Sequence, residues 1–137
     1  MLFRSIKVWV RANPSQVAEL LDANQSYVFF REMPDEQSRD SNEGPIGSLG
    51  VPLTPLRSVA VDPTHVPLGA PVFLSTTEPA SATPLRRLML AQDTGGAIRG
   101  AVRADFFWGL GAASGNQAGQ MKQPGEMWVL LPNEKKP

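Results

Sequence analysis

The chain has 137 residues, enough for one modest domain, and its 42% apolar content can bury a core, which excludes a disordered chain. Basic and acidic residues balance at 13 each, so no net field draws in nucleic acid or an anionic membrane. With no cysteine there is no disulfide or thiolate metal site. A single histidine, His65, argues against a His-based zinc centre and leaves a Ser-His-Asp triad one candidate base, in a turn.

In chain order, the opening "MLFRSIKVWV" has the outline of a signal peptide, but Lys7 interrupts the apolar run and no small-residue cleavage site follows. The chain is therefore expected to carry no export signal, no lipidated cysteine and no membrane span. Residues 1–25 are expected to form a helical lead-in. Ile6, Trp9 and Val10 fall at i, i+3, i+4. The helix is expected to restart at "NPSQVAELLDAN", with Asn13 as N-cap, Pro14 at the first helical position and Gln16 completing a weak capping box. Val17, Leu20 and Leu21 give the stripe of this second segment.

The periodicity then changes. "SYVFFRE" (26–32) is β-branched and aromatic and is expected as a strand. Residues 33–50 read as a polar, turn-rich loop. Further strands are expected at 57–62, ended by Asp62-Pro63, at 70–76, at 85–93 running into Asp93, and at 126–132; residues 133–137 form a charged tail. The 13 prolines and 12 glycines fit many turns between short strands. Five or six strands with irregular connections suggest a small closed β barrel over 26–132, with a sandwich as the alternative.

Two carboxylates dominate the chemistry of "AQDTGGAIRGAVRADFFWG" (91–109). Asp93 ends an apolar strand before Thr94-Gly95-Gly96, where glycines permit a sharp turn and leave space for a ligand. Asp105 precedes Phe106-Phe107-Trp108. A carboxyl packed against aromatics loses solvation and favours its protonated form, so Asp105 is the candidate proton donor. One ionised and one protonated carboxyl is what glycosidic cleavage requires. Three other readings stay open at this point. Asp93 is a turn residue and Asp105 a surface charge. "QDTGGA" is half of a dimeric aspartic protease, against which stand Gln92 and Gly96 at positions those enzymes fill differently. Or the chain is a non-catalytic glycan-binding module that stacks sugars on Tyr27, Phe107 or Trp108.

Four colinear blocks resemble one family: "SYVFFRE", "GPIGSLGVPLTPLRSVAVDPTHVPLGAPVFL", "AQDTGGAIRGAVRADFFWGLG" and "AGQMKQPGEMWVLLP". They are similar to the C-terminal half of membrane-bound lytic murein transglycosylase A, and the helical "IKVWVRANPSQVAELLDANQ" resembles the segment preceding it. The resemblance implies a mainly β fold, a six-stranded double-psi β barrel, with a short helical N-terminal segment. It implies cleavage of the MurNAc-β-1,4-GlcNAc bond of peptidoglycan to a 1,6-anhydro-muramyl end, with no cofactor and no metal. By position it implies Asp105 as the catalytic acid and then base, with Asp93 supporting it. Gln92, Thr94, Tyr27, Trp108 and Lys122 are the candidate substrate-binding residues, each with a structural role as the alternative. Arg99 and Arg103 are candidates for the carboxylates of peptide stems. The implied partner is the peptidoglycan glycan strand, in the bacterial cell envelope. The membrane is expected to be reached only through an anchor absent from this chain. Family members are much longer, so the chain is expected to be a C-terminal fragment lacking part of the barrel and the domain that forms the other wall of the glycan groove, and to have little activity alone.

Overall fold

In the computed structural model, residues 2–23 and 44–133 are described, with side chains from Ser5 onward. The expected strand at 26–32, Tyr27 within it, and most of the 33–50 loop lie outside the described residues. The chain divides into two units, Met1–Pro34 and Asp35–Pro137, each taken by itself here.

The first unit is helical. Helix α1 (Leu2–Ala12) gives way to a 3-10 turn at Pro14–Gln16 and then to α2 (Val17–Asp22). Pro14 has no N–H and cannot continue α1, but its fixed φ suits the start of the next turn. Asn13 does not cap as expected. Its side chain makes no N-terminal cap bond; its Nδ2 and backbone N both donate to the Trp9 carbonyl at 2.9 Å. It therefore satisfies the otherwise unpaired end of α1 instead of the start of the next segment.

The second unit is a five-stranded sheet. Its strands are β1 (Ser58–Val61), β2 (Pro71–Thr77), β3 (Pro84–Thr94), β4 (Ala104–Phe106) and β5 (Glu126–Val129), in spatial order β4-β1-β3-β2-β5. β1 and β3 run parallel, and the other three pairings are antiparallel. Helix α3 (Gly111–Gln120) lies between β4 and β5 in sequence. The described residues are mainly β, a curled half-barrel sheet with three short helices.

Strand alternation sorts the side chains. Val59 and Val61 of β1, Val72 and Leu74 of β2, and Met89 and Ala91 of β3 are buried on one face. Ala104 and Phe106 of β4 and Met127 and Val129 of β5 pack against them, and Val66 and Ala70 of the β1–β2 connection close the core. Met89 is 1% exposed, so truncating it to alanine would cost about 2–5 kcal/mol. The other face of the sheet carries Ser58, Ala60 and both aspartates of the 91–109 stretch.

Residues 44–53 fold over part of that second face. Gly44 N donates to Leu53 O, Gly47 N to Val51 O and Leu53 N to Pro45 O, each at 2.9 Å, and Ile46 bridges to Pro52. A Cβ on Gly47 would lie 2.5 Å from the Gln92 carbonyl oxygen, so only glycine lets the loop sit this close to β3.

Candidate active site

The site depends on one irregularity in β3. Val59 pairs with Ala91, but the next residue of β1, Ala60, pairs with Asp93, so Gln92 has no partner across the β1–β3 ladder. This is a β-bulge. In a regular strand Asp93 would share a face with Ala91 and point into the apolar core. The extra residue turns it to the opposite face, beside Ala60. Two bonds fix the bulge: the Ser58 hydroxyl donates to Gln92 Oε1, and the Gln92 carbonyl accepts from Leu49 N at 3.0 Å. Ser58 is fully buried, and its Oγ also accepts from Thr54 N at 2.8 Å.

Asp93 is held from the 44–53 loop. Ser48 donates twice to Asp93 Oδ1, through its backbone N and its hydroxyl, both at 2.9 Å. Thr94 Oγ1 lies 2.8 Å from Ser48 Oγ. With the serine proton on Asp93, Thr94 is the donor of that bond. One carboxylate oxygen is thus doubly satisfied. Thr94 pairs with Val61 at the end of the parallel ladder.

Asp105 sits on the other side of the same residue. Ala60 pairs with Asp105 in the antiparallel β1–β4 ladder. Asp93, Ala60 and Asp105 therefore form one row across three strands, the aspartates two strand spacings apart, or roughly 10 Å between Cα atoms. Both line a groove of about 260 Å³, together with Leu53, Ser58, Val59, Ala60, Ile98, Phe106 and Phe107. The groove contains no basic side chain among its lining residues.

Only part of the aromatic wall expected around Asp105 is present: Phe106 and Phe107 line the groove with it, and Trp108 does not. Its side chain is 52% exposed, and its Oδ1 accepts from Arg103 Nε at 3.2 Å. Neighbours in a strand face opposite ways, so Phe106 turns to the core. There its ring centroid is 4.6 Å from that of Trp108. Trp108 is buried, and its indole N–H donates to Met121 Sδ at 3.3 Å, so it is a core residue and does not line the groove. Phe106 and Phe107 both line the groove, and the Phe107 ring lies against Gly44.

Of the other expected site residues, Gln92 and Thr94 flank Asp93, but both are engaged in holding the bulge and Ser48. Lys122 is exposed, follows α3 and does not line the groove; its backbone N donates to Gln123 Oε1 at 2.8 Å. Among the described residues no cluster of His, Cys, Asp or Glu is arranged to hold a metal ion. No described helix is long and apolar enough to cross a membrane.

A third aspartate organises the loop between β3 and β4. Asp62, with its side chain 4% exposed, accepts from Gly100 N at 2.8 Å, from Thr64 Oγ1 at 2.7 Å and from Thr64 N at 3.1 Å. Arg99 Nη1 lies 3.8 Å away and His65 Nδ1 3.5 Å away. The Gly100 N–H, followed by the Thr64 donors, holds this carboxyl far below the usual carboxylate range, against the opposing effect of burial. Asp62 thereby ties the 95–103 loop, which joins the strands carrying Asp93 and Asp105, to the end of β1. Sequence reading took Asp62 only as a strand end. The signal was "DPT", an aspartate two residues before the N–H that it accepts. Ser48 was also missed, within the glycine-punctuated "GPIGSLG".

Residues 57–131 match the 3D domain, which makes the sheet and its groove a 3D-domain module, and residues 1–31 match the MltA specific insert domain. The membrane-bound lytic murein transglycosylase A of Vibrio cholerae is 36% identical over 95% of this chain and 35% of that protein. The crystal structure of MltA from Neisseria gonorrhoeae, monoclinic form, is 46% identical with a TM-score of 0.80, covering 98% of this chain and 33% of that one. The crystal structure of Escherichia coli MltA with bound chitohexaose is 31% identical with a TM-score of 0.71, covering 92% and 37%. The chain belongs to the membrane-bound lytic murein transglycosylase A family. It spans about a third of the length of these relatives.

Proposed function

We propose that this chain carries the catalytic carboxylates of a lytic transglycosylase that cleaves the MurNAc-β-1,4-GlcNAc bond of peptidoglycan. The observation that carries the reading is the row Asp93–Ala60–Asp105 on the floor of a groove, within a module whose relatives are named for this activity. The relative crystallised with chitohexaose adds support for a β-1,4-linked glycan as ligand.

Asp105, in its protonated form, donates to the glycosidic oxygen as the C1–O bond breaks. The positive charge developing at C1 is met by ionised Asp93, which Ser48 holds in place. Asp105, now a carboxylate, takes the proton of the muramyl C6 hydroxyl as that oxygen bonds to C1. The proton that Asp105 gives leaves on the hydroxyl of the departing sugar and is replaced by the C6 hydroxyl proton, no water is consumed, and the product is a 1,6-anhydro ring. The nucleophile belongs to the substrate, so proximity supplies part of the rate and a second protein nucleophile is unnecessary. Donation from Asp105 requires that its contact with Arg103 be broken.

In this reading the five described strands are part of a six-stranded double-psi barrel, and the remainder of a family-length enzyme supplies the facing wall of the groove. The working location is the bacterial cell envelope, as the relatives' name suggests. The test is mass spectrometry of purified sacculi digested by this chain and by an upstream-extended form. Anhydro-muropeptides support the proposal. Reducing sugar ends would make the protein a hydrolase, and cleaved peptide with intact glycan would make it a protease.

A further inference from the structure

The geometry points to Arg103 as the residue by which the groove distinguishes a carboxylate-bearing glycan from a neutral one, through exchange of its partner from Asp105 to the ligand. The inference rests on the reading of Asp105 as the catalytic acid.

The groove floor holds two carboxylates and no lining cation. Asp93 is met by two donors from Ser48, whereas among the described residues Asp105 is met by Arg103 alone. That contact uses one nitrogen of the guanidinium, Nε at 3.2 Å. The two terminal nitrogens have no hydrogen bond or ion pair to any described residue, and both side chains are about half exposed, at 49% and 52%. An exposed, single-point ion pair is weak enough to change partners. The backbone beneath it is better fixed. Arg103 N donates to Gly100 O at 3.4 Å, and Gly100 N is bound to buried Asp62. The side chain is therefore free to swing from an anchored position at the groove edge.

A guanidinium prefers to present two parallel N–H groups to a carboxylate. Asp105 receives only one. A lactyl or peptide-stem carboxylate on a sugar seated in the groove can take the terminal pair. Arg103 then neutralises the ligand's charge. Asp105 loses its ion-pair partner and is released to face the glycosidic oxygen. A neutral oligosaccharide offers Arg103 nothing and leaves Asp105 paired. An anionic groove without this exchange would repel the carboxylated ligand.

The test uses the 137-residue chain and two probes of equal length, a muramyl-containing oligosaccharide with free carboxylates and the all-N-acetylglucosamine oligomer. Wild type should bind the carboxylated probe about tenfold more tightly at low salt, the scale of a charge-assisted hydrogen-bond pair. Arg103→Gln should bring the two affinities together, Arg103→Lys should restore part of the difference, and raising salt should shrink it in wild type and Arg103→Lys but not in Arg103→Gln. An unchanged ratio in Arg103→Gln, or no preference in wild type, overturns the inference. Sacculus digestion by the upstream-extended wild-type form reports separately on the reading of function. Preference without anhydro ends would defeat the transglycosylase and leave the Arg103 selectivity standing; anhydro ends with an unchanged ratio would do the reverse.

Discussion

Asp93 and Asp105 share a ladder partner: Ala60 pairs with the first in a parallel ladder and with the second in an antiparallel one. This places the two carboxylates on one face with only a methyl group between them, and it makes their roles separable. If Asp105 moves the proton and Asp93 meets charge, Asp105→Asn should lower anhydro-muropeptide release by at least about 100- to 10,000-fold, the usual worth of a general acid. Asp93→Asn should leave a measurable rate. Ala60→Leu should fill the groove floor and block release with little change in melting temperature, because Ala60 faces away from the core. Full activity of Asp105→Asn on sacculi would overturn the assignment.

Much of the sheet was legible in the sequence, and the failures have identifiable causes. The strands expected at 57–62, 70–76, 85–93 and 126–132 correspond to β1, β2, β3 and β5 with shifts at their ends. Their alternating apolar residues and flanking Pro, Gly and Asp carry the signal. β4 was missed because three residues cannot display a period. α3 was missed because "GAASGNQAGQ" contains three glycines and no apolar stripe. The positions of Asp93 and Asp105 in the sequence were clear, but not their surroundings. A bulge leaves no composition signature, and "DFFW" gives only part of the expected wall around Asp105, because Trp108 is buried and Phe106 also packs against the core.

Asp62 makes the fold sensitive to acid. The Gly100 and Thr64 donors depress its folded pKa below the value of about 3.9 that an aspartate has in an unfolded chain. Its contribution is therefore complete above the unfolded value and is lost as pH falls below it toward the folded one. Asp62→Asn should melt below wild type at pH 7, and the gap should narrow steadily from about pH 4 downward. Thermal melts at pH 7 and pH 3 decide the matter. A gap of constant size would mean that ionisation of Asp62 contributes nothing.

The 44–53 loop should matter to activity more than to stability when only its hydroxyl is removed. Ser48→Ala removes one of the two donors to Asp93 and the partner of Thr94, a loss of about 0.5–1.5 kcal/mol. The backbone donor remains, so melting should change little while turnover falls several-fold. Gly47→Ala acts differently. Its Cβ would meet backbone, the Gln92 carbonyl oxygen at 2.5 Å, and Leu53 Cδ2 at 2.7 Å, so the loop must lift. That should cost about 1–3 kcal/mol and carry Ser48 away from Asp93. Equal effects of the two substitutions on melting would count against this account of the loop.

Gln92 separates a sugar ligand from a structural residue. Its side-chain oxygen accepts from Ser58, which is fully buried, and its residue forms the bulge that turns Asp93 toward the groove. Gln92→Leu strands the Ser58 proton in the interior, at a cost of about 1–3 kcal/mol. It also removes a contact that fixes the bulge, so Asp93 should lose its alignment. The expected result is a lower melting temperature with kcat reduced and KM for glycan nearly unchanged. A direct sugar contact would give the opposite split, with an intact fold and a raised KM. Steady-state kinetics beside a thermal melt on the same preparation distinguishes the two, and the bond to Ser58 favours the first.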